Sequence, residues 1–425
     1  MGSSSEAAAQ PLSGVHVVEL GSMAAAAACG AQLASWGAAV VKVEPPSGER
    51  GRDSGAAAKA LPGGRRVNPR FELHNRGKRS LALDLAKPRA QEVLDALLER
   101  SDVFVTNALP RVLERFGLAW DDVHPRHPHL VYGHITGYGR GTPDENRASY
   151  DHGAFWAQSG LAAAFSSPTG DPPPPSGGLG DRAAGLALAG AVCAARLGRE
   201  REAASGRGSE HRGALVATSL LRTGLWLQGS VVSDALATGR APKPDRYESG
   251  MPTLNWFRCA DGRLLMLEVM DPEHEWGRLA AALDDEAITP EGFGRGSRRE
   301  LQAASAEVVR QMERIFARRP LEEWVRRLDS AGIRFEPVVD HAEVVSAGRA
   351  RAAGAFLPSR HPDVPEALAD PCTLGTDPPV APRAPSVGEH TAAVLSELGL
   401  SGEERESLVE SGAAYSPESE ALTGG

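Results

Sequence analysis

Hydrophobic positions in the first half of the chain alternate between two spacings. Short β-branched runs at 15–20 (VHVVEL), 39–44 (AVVKVE), 102–106 (DVFVT) and 130–136 predict strands, and 81–85 predicts an extended segment. Between them the apolar residues fall at helical spacing. An alanine-rich helix is predicted over 24–36, an amphipathic helix over 88–100 and a short helix over 111–116. Strands separated by helices predict a parallel sheet with right-handed crossovers, hence an α/β fold. The polar, glycine-rich stretch 45–69 predicts a long surface loop.

Further on the pattern changes. Prolines 172–175 lead into a glycine-rich turn, GGLGDRAAG at 177–185, and an apolar helix over 186–197. Gly206-Arg207-Gly208 closes that helix, and a hydrophobic segment runs over 214–237. Ala241-Pro242-Lys243-Pro244 punctuates the chain and predicts the start of a second domain. In that domain 264–269 and 333–339 predict strands, with helices near 275–283 and 299–318. A helical run follows the tripeptide at 150–152, over 154–164, and terminal helices are predicted over 391–398 and 403–410.

Length and composition narrow the class. A chain of 425 residues exceeds one compact core and predicts two domains or a large α/β body with an insertion. A hydrophobic content of 41% with 24% charged residues fits a soluble globular protein. The net charge of -9 leaves no overall basic field for nucleic acid. Basic residues are nearly all arginine, a skew that with the alanine and glycine richness reads as GC-rich coding. Cys29, Cys193, Cys259 and Cys372 lack CxxC spacing, which predicts small buried thiols in a reducing, cytoplasmic compartment rather than a disulfide frame or zinc site. No segment reaches the roughly 18 apolar residues needed to span a bilayer, and 24–29 lacks the basic flank of a signal peptide. Residues 1–10 and 416–425 are expected to be disordered ends.

Three places carry candidate chemistry. Asp181 follows a glycine turn that lets backbone approach a ligand closely, and a helix start favours negative charge there. An ionised, open carboxylate at that place can attack an activated acyl group; its bland alternative is to N-cap the helix. Tyr150-Asp151-His152 sets a carboxylate between a phenol and an imidazole, with helix capping again the plain alternative. Asn75-Arg76-Gly77-Lys78-Arg79-Ser80 is a basic turn that can meet phosphates or be a solvated charge run. His124, His127 and His129 sit in a proline-rich stretch expected to be a loop, without a carboxylate at ligand spacing, so no metal site is expected. GxGxxG, Walker A, HExxH and GxSxG patterns are absent.

Taken in order, these pieces resemble the class III CoA-transferase family, which includes formyl-CoA and carnitine CoA-transferases and the α-methylacyl-CoA racemases. The resemblance runs from Pro11 to Gly412 and rests on the opening strand PLSGVHVVEL, WGAAVVKVEP at 36–45, NRGKRSLALDL at 75–85, LERFGL at 113–118, ITGYG at 135–139, the GD turn at 180–181 and GEHT at 388–391. It implies a large Rossmann-like domain with a parallel sheet built by both chain ends (11–230 and 336–415), a smaller inserted α+β domain (231–335) and an interlocked homodimer.

The resemblance also implies a site. Asp181, Asp151 and Tyr150 are expected to be catalytic, with Asp181 the nucleophile, Asp151 in an orienting or acid–base role, and amides near 180–183 as oxyanion donors. Pro45, Leu83, Leu85, Asn107, Ala108, Leu109 and Arg115 are expected to line the CoA nucleotide. No permanently bound cofactor is expected; coenzyme A enters as acyl-CoA, and the other partner is a carboxylic acid. Racemases of the family place histidine where Tyr150 stands, and a phenol of pKa about 10 is a poor base. His152, one position past Asp151, is expected to point elsewhere. Transfer of CoA is therefore the expected activity, with α-proton exchange and a non-catalytic CoA-binding scaffold as alternatives. The alanine run 24–28 replaces the polar first turn of many transferases, and Gly250-Met251-Pro252-Thr253 is the nearest candidate for a lid.

Overall fold

Six parallel strands carry the main sheet: β1 (His16–Leu20), β2 (Ala39–Glu44), β3 (Arg79–Leu83), β4 (Val103–Thr106), β5 (Val131–Thr136) and β6 (Leu215–Ser219). A seventh, β7 (Ala414–Tyr415), pairs antiparallel with β3, and the order across the sheet is β7-β3-β2-β1-β4-β5-β6. These strands come from a computed structural model that describes residues 10–53, 59–60, 66–166, 170–205, 212–240, 245–286, 288–289, 296–374 and 380–417. The features expected at 206–208 and 241–244, and all but residues 10, 416 and 417 of the expected disordered ends, lie outside those residues.

The strand order reverses between β1 and β4. In doubly wound sheets, ligands bind outside the carboxyl ends of the strands at such a reversal. The central strands β4 and β5 are buried at every position, as parallel strands covered on both faces must be. Their side chains alternate between two cores. Phe104 and Tyr132 join Leu94, Leu98, Leu395 and Leu408 on one face, whereas Val103, Val105 and Val131 join Leu33, Leu188 and Val192 on the other. Leu395 and Leu408 come from Thr391–Glu397 and Gly402–Glu410, so the C-terminal segment completes the first core.

Helix α1 (Ala25–Ser35) follows β1, α2 (Pro69–Asn75) precedes β3, and α3 (Leu179–Ala204) precedes β6. A Cβ on Gly185 of α3 would stand 2.7 Å from Ala28 Cβ and 2.9 Å from the Cys29 backbone nitrogen. The alanine run 24–28 therefore has a packing reason: small side chains let α1 and α3 touch backbone to backbone.

The chain divides into two units, one of residues 1–162, 174–233 and 351–425, the other of 163–173 and 234–350. The second has its own core, in which Phe257 stacks on Phe316 at 4.8 Å between ring centres and Trp324 lies 4.8 Å beyond. It also has its own antiparallel sheet of Leu254–Arg258, Leu264–Glu268 and Phe335–Pro337. Gly250–Thr253 belongs to this unit as a turn, tied by Thr253 Oγ1 donating to the Val269 carbonyl at 2.7 Å. Among the described residues no helix is long and apolar enough to cross a membrane.

Several local expectations are corrected. The stretch holding His124 is helical over Trp120–Arg126 despite Pro125. The helical run at 154–164 is a π-helix, His152–Ala157, followed by Leu161–Ala164. Residues 299–318 break into Arg298–Ala303 and Ser305–Phe316.

Candidate active site

A cavity of about 750 Å³ lies at the carboxyl ends of the strands, across the reversal of strand order. The turns after β1 (21–25), β2 (45–50) and β4 (107–109) line it, with Thr136 and Gly137 at the end of β5 and Leu220 just past β6. Asn107 straps two of these turns together: its Nδ2 donates to the Ser22 carbonyl at 2.9 Å and its Oδ1 accepts from the Ser22 amide at 3.1 Å. Gly21 is required below this strap, because a Cβ there would stand 2.9 Å from Asn107 Oδ1. His134 Nε2 bonds to the Ala108 carbonyl at 2.9 Å, and burial pushes its pKa down to about 4, so it holds the β4 turn as a neutral ring. Met23 in the β1 turn has φ 64°, an unusual conformation for a residue with a side chain. Its amide donates to Glu49 Oε2 at 2.9 Å, which ties the β1 turn to the β2 turn.

Asp181 lines the same cavity. Helix α3 begins after Gly178, whose φ of 78° suits glycine, and the helix has no side-chain cap. Asp181 is thus the third residue of α3, which removes the capping alternative and starts the helix ahead of the expected 186. A Cβ on Gly180 would stand 2.6 Å from Phe155 Cβ, so the bare first turn of α3 is pressed against the π-helix. The amides of Gly180 and Asp181 belong to that turn and have no intrahelical acceptor. The Arg182 amide donates to the Gly178 carbonyl at 3.1 Å and is not available as a donor.

Burial, and then the neighbouring Asp151 carboxylate, push the Asp181 pKa up to about 7 against the opposing pull of Arg182. This corrects the expectation of an ionised carboxylate. The helix N-terminus favours the anion, but desolvation and like charge outweigh it. Asp151 itself is buried, with Oδ1 3.0 Å from His152 Nδ1. The His152 ring lies beside the glycine turn, its Nε2 3.5 Å from the place a Gly177 Cβ would take. Tyr150 is 61% exposed and lines the cavity, which the ring of His152 does not.

The expected nucleotide residues divide. Pro45, Leu85, Asn107, Ala108 and Leu109 line the cavity. Leu83 does not; it points from β3 into the core and is 1% exposed. Arg115 lies outside the lining, its guanidinium 5.3 Å from the centre of the Phe116 ring that forms part of the wall. Sequence reasoning missed Arg50, an exposed cation on the β2 side of the cavity. Its signal was present in the Ser47-Gly48-Glu49-Arg50 turn directly after a strand, inside the stretch taken for a surface loop.

The basic turn at 75–80 is neither a phosphate site nor a solvated run. Lys78 is fully buried and donates to Glu19 Oε2 at 2.6 Å and to the carbonyls of His74 (2.6 Å) and Ala27 (2.8 Å). Lys42 Nζ binds the other Glu19 oxygen at 3.0 Å. Burial raises Glu19, but the two lysines hold it down at about 2, while burial brings Lys78 down to about 8. Gly30 of α1 leaves room for this carboxylate, since a Cβ there would overlap it. Arg79 makes a two-pronged bridge to Glu397 at 2.7 and 2.8 Å, and Arg76 pairs with Asp370 at 2.8 Å. Ser80 Oγ donates to Glu44 at 2.6 Å and accepts from the Gly388 amide at 2.9 Å. The signature therefore joins β1, β2 and the C-terminal segment.

Of the three histidines, His124 stacks on Trp120, His127 Nε2 sits 2.7 Å from Asp95, and His129 Nε2 bonds to the Ser101 carbonyl at 3.1 Å. Among the described residues no cluster of metal-ligating side chains occurs.

A cavity over the switch point, holding a raised carboxylate, places the chain among doubly wound α/β proteins with a ligand site at the strand ends. The family model described as CoA-transferase family III matches residues 12–391, and the chain belongs to that family. It is 29% identical over 404 residues to (R)-2-hydroxy-4-methylpentanoate CoA-transferase of Clostridioides difficile, covering 92% of this chain and 96% of that protein. It is also 29% identical over 402 residues to α-methylacyl-CoA racemase of Homo sapiens, covering 92% and 94%. The crystal structure of Rv3272 from M. tuberculosis, orthorhombic form, matches with a TM-score of 0.78 at 27% identity, over 92% of this chain and all of that one.

Proposed function

We propose that this protein transfers CoA from an acyl-CoA thioester to a carboxylic acid, with Asp181 as the group that is acylated. The carboxylate attacks the thioester carbonyl; the C–S bond breaks and leaves a mixed anhydride and CoA thiolate. The thiolate attacks the Asp181 carbonyl of the anhydride, releasing the donor acid and forming an aspartyl-CoA thioester. The acceptor carboxylate then attacks that thioester, giving a new anhydride and thiolate. Attack of the thiolate on the acceptor acyl carbon yields the new acyl-CoA and restores Asp181. No proton, water or electron is consumed. Each intermediate is an activated acyl group, so exclusion of water is essential. First-turn amides of Gly180 and Asp181 are the donors for the developing oxyanion.

The observation that carries this reading is Asp181, a buried carboxylate raised to about 7 that still lines the cavity. Such a group is more basic, hence more nucleophilic when ionised, than an exposed aspartate. Pro45, Leu85, Asn107, Ala108 and Leu109, with Arg50, suit the nucleotide end of CoA. Arg115 would act beyond Phe116, and Leu83 only through packing. Asp181→Ala should abolish exchange between acids while CoA binding, measured by calorimetry, persists; retained exchange would exclude Asp181 as the acylated group.

A second reading, α-proton exchange, is favoured by the same basicity, since a carboxylate near pH 7 is a competent proton acceptor. It needs a second base on the opposite face. Tyr150 rather than His152 lines the cavity, which supports transfer. Deuterium wash-in at the α-carbon of a 2-methylacyl-CoA in D2O would decide for exchange.

A homodimer and a cytoplasmic setting complete the proposal. Trp226 is 82% and Leu227 58% exposed at the end of Leu220–Leu227, apolar surface suited to a second copy. The four thiols are all free, which fits a reducing compartment.

A further inference from the structure

We infer that the acyl group accepted at this site is uncharged and apolar: a monocarboxylic acid with an apolar chain is preferred over a dicarboxylic acid. The inference rests on the transfer reading above and adds the substrate class to it.

Strand order gives the cavity a direction. The turn after β2, with Arg50, stands on one side, and the ends of β5 and β6 stand on the other. Three strand spacings separate β2 from β5, roughly 14 Å at about 4.8 Å each. Arg50 therefore stands on the β2 side of the cavity, placed for the phosphate end of an extended ligand. Ala24, Ala25, Ile135 and Leu220, with Ser149 and Tyr150, share the cavity lining with Asp181. That Ala24 and Ala25 belong to the Asp181 end follows from helix packing: the Ala25 carbonyl oxygen would lie 3.0 Å from a Cβ on Gly185, one turn along α3 from Asp181.

The cations near Asp181 do not line the cavity, although Arg182 opposes the rise of the Asp181 pKa from outside it. Arg182 folds back on its own turn, its Nη1 3.0 Å from where a Gly178 Cβ would be, and does not line the cavity. Lys42 and Lys78 are buried on Glu19. Asp151 and Asp181 already place two carboxylates at this end, and their repulsion contributes to the raised Asp181. A distal carboxylate on the acyl chain would be a third negative group, desolvated against alanine, isoleucine and leucine with no cation lining this end of the cavity. Burying an unpaired anion in that way is heavily penalised.

The test uses the full-length protein with one donor, 4-methylpentanoyl-CoA, and acceptors of similar length: 3-phenylpropionate, hexanoate, glutarate and adipate. We expect kcat/KM for the apolar acceptors to exceed that for the dicarboxylates by about 100-fold or more. Ala24→Arg, at a half-exposed position on the acyl wall, should narrow that ratio by about tenfold by supplying a counter-charge, with CoA binding as the check on folding. Equal or faster exchange with glutarate or adipate overturns the inference while leaving CoA transfer intact. Absence of exchange with every acid would instead overturn the transfer reading, and the substrate class would fall with it.

Discussion

His152 Nδ1 stands 3.0 Å from Asp151 Oδ1, while the other oxygen of that buried carboxylate, Oδ2, has no hydrogen-bond partner among the described residues. Asp151 is therefore held from one side, and its charge acts on Asp181. Replacing it with asparagine removes the like charge and keeps the shape. The acid limb of the transfer rate, set by Asp181 at about 7, should then move to lower pH. A pH–rate profile of Asp151→Asn checks this, and an unmoved limb would show that Asp151 does not tune Asp181.

Asp181 also makes a prediction about stability. Its ordinary value is 3.8, so between 3.8 and about 7 the native protein holds a proton that the unfolded chain has released. The stabilisation from this group is complete below 3.8 and is lost as pH rises through about 7. Asp181→Asn should therefore be inactive yet more stable than the parent at about pH 8, by about 2–4 kcal/mol, with little difference at about pH 4. Thermal melts at the two pH values test it; a variant less stable at alkaline pH contradicts the burial of this carboxylate.

The fold was legible where residues obey one dominant rule. The β-branched runs of β1, β2 and β4 and the amphipathic Pro88–Glu99 stand where periodicity puts them, because strand and helix spacing there coincide with burial. The strand Leu254–Arg258 escaped notice because its inward positions include Asn255, which is buried, while Trp256 is 49% exposed. The start of α3 was misplaced because Gly178 and Gly180 read as a turn, yet one supplies the left-handed residue before the helix and the other admits Phe155. Asp181, Asp151 and Tyr150 were singled out through the order of motifs. The raised Asp181 was not, since it depends on burial and on a neighbour thirty residues away in sequence.

Lys78 offers a test of the corrected role of the basic turn. Removing one member of a buried ion group strands its partners, typically at a cost of about 3–5 kcal/mol. Lys78→Met should lower the melting temperature strongly, whereas the folded fraction should bind CoA with little change in Kd. A stable variant with greatly weakened CoA binding would restore the phosphate-binding role.

Gly180 lets the start of α3 press against the π-helix. An added methyl would stand 2.6 Å from Phe155 Cβ, so the helix start must move away from the π-helix. We expect Gly180→Ala to destabilise the protein by about 1–3 kcal/mol and to reduce kcat more than it raises KM, since Asp181 is displaced while the nucleotide end is untouched. Equal losses in both constants would indicate a general loss of the cavity instead.

Covalent trapping bears most directly on the chemistry. The protein is incubated with an acyl-CoA, treated with borohydride, digested, and the peptide holding residue 181 is weighed. Reduction of an aspartyl thioester should convert that aspartate to the corresponding alcohol, with unmodified peptide in the sample lacking acyl-CoA and in Asp151→Asn only a slower appearance of the product. A peptide that stays unmodified during demonstrated exchange between acids would mean that transfer proceeds without acylation of this side chain.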